Sequence, residues 1–254
     1  MSKLWNDVKG NVTFVFVCLV TVAAVILLAK LLEKRLVKTQ RRAAGSRYIA
    51  FVAMFSAIGG VLMLLEIPLF FAPSFYKMDL SELPVLLCSF YLGPVAGVTA
   101  EFLKVFIKLL LKGTSTAFVG DYANFVVGCC YILPASAIYH AHKTKRNAIL
   151  GMAAGTVVMA VFGSAFNAQY LIPKFAELFG MPIDAIVSMG TSVNRHIVSV
   201  STLALYAVVP FNVLKGTCDG ILTFLLYKRL GKVFFREDEK WATSNRPSLK
   251  DEKS

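Results

Sequence analysis

The stretch at positions 210–216 reads Pro210-Phe211-Asn212-Val213-Leu214-Lys215-Gly216, and it places an amide and an ammonium inside a segment that is otherwise apolar enough to span a membrane. A charged residue at the centre of a spanning helix costs about 2.5–3.5 kcal/mol on insertion scales, so it usually faces a partner, a water-filled cavity or a ligand. Asn212 and Lys215 are three residues apart and therefore share one helical face. This pair predicts a polar pocket for a neutral or mildly acidic small molecule.

The composition of the whole chain indicates a membrane protein. Of its 254 residues, 57% are hydrophobic and 17% are charged, and its mean hydropathy is +0.65. A soluble domain is about half apolar and about a quarter charged. A spanning helix needs about 20 apolar residues, and runs of this kind lie at 12–33, 47–66, 83–111, 117–141, 148–172 and 199–228.

The run at 83–111 is too long for one crossing. Gly93-Pro94 interrupts it, and because proline disfavours the helical conformation in the residue before it, we predict two shorter helices at 82–92 and 94–111. The chain is therefore predicted to be an all-α integral membrane bundle with seven membrane helices. Residues 12–32 are not predicted to be a cleaved signal peptide, because their apolar core exceeds the roughly 7–15 residues of such a region.

The distribution of Lys and Arg predicts the orientation of the bundle, since short cytoplasmic loops carry an excess of these residues. Basic residues cluster after the first, fifth and last predicted helices, whereas segments 67–80 and 173–198 have balanced charge. The clusters contain Lys34, Arg35, Lys38, Arg41, Arg42, Arg47, Lys143, Lys145, Arg146, Lys228, Arg229, Lys232 and Arg236. This alternation predicts an N-terminus outside the cell and a cytoplasmic C-terminus. Topology and contact with anionic lipids account for the net charge of +12, so nucleic-acid binding is not expected.

Enzyme chemistry finds little support in the sequence. The five cysteines lie in apolar segments without the paired spacing of a zinc site. Lys112-Gly113-Thr114-Ser115-Thr116 lacks the upstream glycine of a phosphate-binding loop and is predicted to be a turn between helices. Glu82, in the first turn of its helix, is expected to interact favourably with the positive end of the helix dipole. Glu101 is expected to pair with Lys104 and Lys108 along one helical face.

Polar residues remain in the outer halves of three predicted helices: Asn124, Asn167, and Asn212 with Lys215. The predicted crossing directions place Asn124 and Asn167 a few residues from the outer face and the other two deeper. Two interpretations stay open. Asn side chains hydrogen-bond across helices for about 0.6–2 kcal/mol and could simply join the helices, or the four side chains could line a common pocket.

The chain also resembles a known family over residues 47–230, the riboflavin-specific substrate-binding subunits, or S components, of energy-coupling factor (ECF) vitamin transporters. The resemblance rests on the order and spacing of five motifs. They are Met78-Asp79-Leu80-Ser81-Glu82-Leu83-Pro84, Leu92-Gly93-Pro94-Val95-Ala96-Gly97, Lys112-Gly113-Thr114-Ser115-Thr116, Gly120-Asp121-Tyr122-Ala123-Asn124-Phe125 and the stretch at 210–216 quoted above. The resemblance implies a compact bundle of six membrane helices that binds its vitamin on the outer side.

The resemblance implies partners rather than catalysis. Proteins of this family have no ATPase of their own, and a shared transmembrane coupling subunit and two cytoplasmic ATPases supply the energy for uptake. The chain is therefore expected to be no enzyme, to need no cofactor and to bind riboflavin as its transported ligand. Residues 1–46 then form an extra transmembrane helix with a basic cytoplasmic linker, 47–230 the six-helix substrate-binding domain, and 231–254 a cytoplasmic tail predicted to be disordered.

The resemblance also implies roles for individual residues. Asn167, Asn212 and Lys215 would hydrogen-bond the polar edge and the ribityl chain of the flavin, while the loop at 67–82 would close over it. The same site is expected to include Asp79, Leu80, Thr114 and Asn124.

Ala53 and Ala57 match the AxxxA pattern with which these subunits dock on the coupling subunit. Small side chains four residues apart share a helical face and let helices approach closely, although ordinary packing inside the bundle would produce the same pattern. Other classes of protein stay open as alternatives. These are an S component for another vitamin or for FMN, a membrane enzyme acting on lipid phosphates, and a membrane scaffold without a ligand.

Overall fold

The computed structural model of the chain describes residues 12–37, 45–69, 73, 76–114 and 118–244, with 228–244 as helical backbone. Ten α-helices occur in this part of the chain: α1 Val12–Leu36, α2 Gly45–Leu62, α3 Glu82–Leu92, α4 Pro94–Lys112, α5 Val119–Ala141, α6 Lys145–Phe166, α7 Ile172–Phe179, α8 Ile183–Thr191, α9 Val200–Leu203 and α10 Val209–Ser244. Two π-helical segments, Asn167–Leu171 and Ala204–Val208, precede α7 and α10. The strands β1 (Ile67–Pro68) and β2 (Lys77–Met78) pair antiparallel as a short hairpin.

The prediction of an all-α membrane bundle is confirmed, and the seven predicted membrane helices correspond to α1–α6 and α10. Among the described residues, five helical stretches are long and apolar enough to cross a membrane. The other two membrane helices are exceptions, because α3 is short and α4 carries four charged residues. Two differences from the sequence prediction concern loops and ends. The segment 173–198, expected to be a loop, contains α7 and α8, and α10 continues past position 230 to Ser244, while 245–254 lie outside the described residues.

The break between α3 and α4 falls at the predicted dipeptide. Gly93 has φ 107°, a left-handed conformation that favours glycine, and Pro94 begins α4. Helix α3 has only 11 residues, so it is about 16 Å long and covers about half of a hydrocarbon core about 30 Å thick. The non-helical residues before Glu82 therefore reach into the middle of the bundle, where irregular backbone is tolerated only if protein or a cavity surrounds it.

Helices α5 and α6 pack closely because glycines on α6 meet the backbone of α5. A Cβ atom at Gly151 would lie 2.6 Å from the carbonyl oxygen of Ala135, and one at Gly155 would lie 2.5 Å from that of Tyr131. Real side chains do not fit at these distances, so the two glycines set the separation of the helices. This contact fixes one wall of the cavity described below.

The extra helix α1 packs against α4 and α5. Phe14 meets the ring of Tyr122 edge to face with centroids 5.8 Å apart, and the Tyr122 hydroxyl donates to Thr21 Oγ1 at 2.8 Å. At the other end of α1, Glu33 Oε2 accepts from the backbone N–H of Val95 at 3.0 Å, where a carboxylate complements the first turn of α4. Both ends of α1 are thus attached to the six-helix core.

Candidate ligand-binding site

A cavity of about 130 Å³ lies between the hairpin, α5, α6, α7 and α10. This volume is about ten times what one buried water needs, so the cavity suits an organic ligand. Its apolar wall includes Val127, Met159, Leu171, Ile172, Phe175 and Phe211, and its polar side chains are Tyr76, Lys77, Glu82, Asn124, Asn167, Asn212 and Lys215. The combination of apolar surface with a few convergent polar groups is typical of small-molecule sites.

Three asparagines predicted for the site lie on this cavity, and their hydrogen bonds differ. The Asn167 amide is engaged at both ends, because Nδ2 donates to Gly163 O at 2.8 Å and Oδ1 accepts from Tyr76 OH at 3.0 Å. Asn124 Nδ2 donates to Gly120 O at 3.0 Å in its own helix. Asn212 is 3% exposed, and its Nδ2 has no hydrogen-bond partner among the described residues. Asn212 therefore provides a buried donor on the cavity wall.

The ammonium of Lys215 is neutralised within the protein. Its Nζ donates to Asp79 Oδ2 at 3.1 Å and lies 3.6 Å from Glu82 Oε1. Asp79 in turn accepts hydrogen bonds from the backbone and hydroxyl groups of Ser81. Lys215 thus connects α10 to the chain that precedes α3, and Asp79, predicted as a site residue, lies behind Lys215 as its ion-pair partner.

A second buried lysine extends this charge cluster into α4. Lys104 Nζ lies 2.9 Å from Glu82 Oε1 and 2.8 Å from Glu101 Oε1, and the Lys104 side chain is fully buried. The predicted pairing of Glu101 with Lys104 is confirmed. The predicted pairing with Lys108 is wrong, because Lys108 Nζ instead lies 2.6 Å from Asp121 Oδ1 on α5.

The carboxylates of the cluster approach the backbone of α5 at a glycine. A Cβ atom at Gly128 would lie 2.2 Å from Glu101 Oε1 and 3.0 Å from Glu82 Oε1, so no side chain fits there. Glu82 lines the cavity, and its Oε2 has no hydrogen-bond partner among the described residues. The cavity floor therefore offers an acceptor beside the donor of Lys215, whereas the sequence had suggested only a contact of Glu82 with the helix dipole.

The hairpin contributes Tyr76 and Lys77 to the cavity. Burial raises the pKa of the Tyr76 phenol, which keeps its proton, and its ring lies 5.5 Å from that of Phe211 on α10. Glu66 anchors the hairpin, since its carboxylate lies 2.7 Å from Lys77 Nζ and 2.7 Å from Lys112 Nζ. Burial raises the pKa of Glu66, but the two lysines outweigh burial and hold that pKa below its ordinary value.

Besides Asp79, two predicted site residues are not part of the cavity lining. Leu80 is half-buried between β2 and α3. Thr114 Oγ1 accepts from the backbone N–H of Phe118 at 3.0 Å, as expected for a residue in the turn between α4 and α5. Sequence reasoning also missed contributors to the lining, above all Tyr76, Glu82 and Phe211. Phe211 and Glu82 lie within the quoted motifs, so their position beside Asn212 and Asp79 was the available signal.

The two π-helical segments border the cavity. Asn167 and Leu171 belong to the first, and Val208 belongs to the second. A π-turn contains an extra residue compared with an α-turn, and such turns occur frequently at functional sites. Here the first one supports Asn167, which caps α6, and the second ends just before the helix that carries Asn212 and Lys215.

The AxxxA pair lies on the outside of the bundle. Ala53 and Ala57 are both exposed, and their neighbours Met54 and Ile58 are 40% and 45% exposed. Val52, Phe55, Ser56, Gly59 and Gly60 of the same helix are buried instead. The exposed face of α2 is therefore available to another molecule, and ordinary packing inside the bundle does not account for the pair.

These features define a membrane-embedded substrate-binding protein, and comparisons with known proteins agree. The chain belongs to the family of substrate-specific components of ECF transporters, whose model matches residues 47–227. The riboflavin transporter RibU of Staphylococcus aureus (strain TCH60) is 31% identical over 185 residues, which cover 73% of this chain and 90% of that protein. The riboflavin transporter FmnP of Bacillus subtilis (strain 168) is 26% identical over 72% of this chain and 90% of its own length.

A solved structure, that of the S component of a bacterial ECF transporter, resembles this fold with a TM-score of 0.59 at 31% identity. The match covers 74% of this chain and 98% of that one. Helix α1 precedes the residues that the family model matches. The family match thus covers the six-helix core and every residue that lines the cavity, and the family is one of transporter components rather than enzymes.

Proposed function

We propose that this chain captures riboflavin at the outer side of the cell membrane and delivers it for uptake as the S component of an ECF transporter. One observation carries the proposal: Asn167 and the Asn212–Lys215 pair, from separate parts of the chain, line a single cavity. The relatives from Staphylococcus aureus and Bacillus subtilis are riboflavin transporters by name. Riboflavin is the transported ligand, and no resident cofactor is part of the proposal.

The chemistry of the cavity suits a flavin. An isoalloxazine ring is flat and largely apolar, and one edge carries carbonyl oxygens and an N–H group. The rings of Phe175 and Phe211 provide apolar surface, while Asn212 Nδ2, which has no hydrogen-bond partner in the described part of the chain, is a donor for a ring carbonyl. Lys215 supplies a second donor, and Glu82 Oε2 is an acceptor for a ribityl hydroxyl. Asn167 and Asn124 complete the polar wall, and Tyr76 and Lys77 of the hairpin lie against it.

The proposal includes the rest of the transporter. A transmembrane coupling subunit and two cytoplasmic ATPases would supply the energy, with Ala53 and Ala57 as the docking face of this chain. The N-terminus would lie outside and the C-terminus in the cytoplasm. Lys34 and Arg35 at the end of α1 support this orientation. Their neighbour Glu33 bonds the first turn of α4, and His140 at the end of α5 contacts Ser89 near the end of α3, so the two lysine- and arginine-rich segments lie at the same end of the bundle.

The absorption spectrum of the purified protein tests the ligand directly. We expect a yellow preparation with flavin bands at about 370 and about 450 nm, and saturable quenching of riboflavin fluorescence once bound flavin has been removed. FMN and thiamine are the competitors to titrate in parallel. A colourless protein that binds thiamine, or no vitamin at all, would contradict the proposal, and competition by FMN at similar concentration would broaden the ligand class to both flavins.

Leucine substitutions at the two central asparagines test the polar wall. Each of Asn167→Leu and Asn212→Leu leaves polar atoms of the ligand unsatisfied, which costs about 1–3 kcal/mol, or about 5- to 150-fold in affinity. The two losses should be non-additive because both side chains contact one ligand. Isothermal titration or fluorescence quenching measures the affinities. Asn147→Leu is the matched control, since Asn147 donates to Ile138 O at 3.2 Å near the α5–α6 connection, and strict additivity would indicate two independent structural roles.

A further inference from the structure

Gly163 touches both carboxamides that line the centre of the cavity. It lies on α6, one turn before Asn167, and its carbonyl oxygen accepts a hydrogen bond from Asn167 Nδ2 at 2.8 Å. On its other side, a Cβ atom built at Gly163 would lie 3.1 Å from Asn212 Nδ2. Gly163 therefore fixes one amide through its backbone and gives room to the other by having no side chain.

The surroundings of Gly163 differ from those of the other glycines on α6. Gly151 and Gly155 face backbone carbonyls of α5 at 2.6 and 2.5 Å, which identifies them as contacts between helices. Around Gly163, the atoms nearest to an added Cβ are side-chain atoms, namely Asn212 Nδ2 and, at 3.3 and 3.4 Å, the two methyl groups of Val127. A methyl group there would displace the end of a side chain before it displaced a helix.

The side chain that would move is that of Asn212. Asn212 is 97% buried, and its Nδ2 has no hydrogen-bond partner in the described part of the chain. Because no described residue accepts a hydrogen bond from this Nδ2, its position depends on packing, and Gly163 is one of the groups against which it packs. A displacement of a few tenths of an ångström weakens a hydrogen bond to a rigid ligand, since both distance and angle deteriorate together.

We propose that Gly163 is a positioning residue that sets the orientation of Asn167 and Asn212 for the ligand. The proposal rests on the proposed function, since it concerns the same cavity. According to this proposal, a residue of α6 orients the amides of both Asn167 and Asn212, although Asn212 belongs to α10.

The experiment is a double-mutant cycle on the detergent-solubilised full-length protein with riboflavin as the probe. Gly163→Ala should weaken riboflavin binding about tenfold, as expected when one hydrogen bond is lost. In the Asn212→Ala background, the shortened side chain leaves room for the methyl group, and the same substitution should change affinity less than about twofold. An equal loss in both backgrounds would overturn the proposal, as would a loss that disappears only in a Val127→Ala background.

Two further measurements separate positioning from folding and from ligand identity. Gly163→Ala should leave the thermal unfolding midpoint near that of the parent, whereas Gly155→Ala should lower it. If Gly163→Ala fails to fold, the double variant Gly163→Ala/Asn212→Ala should fold. Failure of both variants to fold would contradict the proposal. In ¹⁵N-asparagine-labelled protein without ligand, Gly163→Ala should shift the side-chain amide signal of Asn212. This shift tests the positioning even if the protein binds no riboflavin, and an unmoved signal would refute it.

Discussion

Lys215→Met is expected to weaken riboflavin binding about 10- to 150-fold, because a hydrogen bond from a charged group is worth about 1.5–3 kcal/mol. The structure adds a second effect. Lys215 is the ion-pair partner of Asp79 at 3.1 Å, and both side chains are only 6% exposed. Removing one partner of a buried pair costs about 3–5 kcal/mol, so the thermal unfolding midpoint should fall together with affinity.

A second substitution separates the two effects of Lys215. Combining Lys215→Met with Asp79→Asn removes the uncompensated carboxylate, so the double variant should recover much of the lost thermal stability while riboflavin affinity stays low. Lys174→Met is the control for a lysine whose ion pair lies at the surface, since its partner Glu177 is 64% exposed, and it should change little. Unchanged affinity in Lys215→Met would show that the ammonium serves the fold alone.

Trp at both Ala53 and Ala57 is expected to abolish uptake while leaving riboflavin binding intact. Close helix approach tolerates only small side chains, and the exposed positions of both alanines on α2 mean that the indoles would point away from the cavity. Uptake by cells that carry the partner subunits, co-purification with those subunits and flavin titration of the isolated chain measure the three consequences. Ala24→Trp, on the exposed side of α1, should transport normally.

The outcomes of the double tryptophan variant discriminate between interpretations of α2. Normal assembly and uptake would exclude these alanines from the docking face. Loss of flavin binding together with uptake would mean that α2 supports the cavity through the bundle, because its inner residues Phe55 and Gly59 contact the core. Loss of uptake alone is the expected result.

Local sequence signals predicted the membrane helices and part of the site. Gly93-Pro94 interrupts a helix through its own backbone preferences, whatever surrounds it, so the break between α3 and α4 lies where it was predicted. Asn212 and Lys215 share a face within one helix and indeed line the same cavity. Asn167 joins them because the crossing directions of neighbouring helices follow from the alternation of loops.

Local sequence signals could not predict ion pairs between residues far apart in the chain, nor the irregular helical segments. Lys215 and Asp79 are 136 positions apart, and Lys104 pairs with Glu82 across 22 positions, so spacing along one helix cannot reveal either pair. The same limit explains why Lys108 was assigned to Glu101 instead of Asp121. The π-helical segments have no recognisable residue pattern. The balanced charge of 173–198 is typical of a loop, so α7 and α8 were not predicted.

The shortness of α3 and the charges of α4 have a consequence for how the chain enters the bilayer during synthesis. An 11-residue helix is too short to be stable as an independent span, and each charge at the centre of α4 would cost about 2.5–3.5 kcal/mol if it were inserted alone. Glu101 can neutralise Lys104 within α4 itself, whereas the second carboxylate, Glu82, reaches Lys104 only when α3 packs against α4. We therefore expect the α3–α4 hairpin to enter the lipid as one unit, so that the Glu82–Lys104 contact at the floor of the cavity forms before the helices that enclose it have been made.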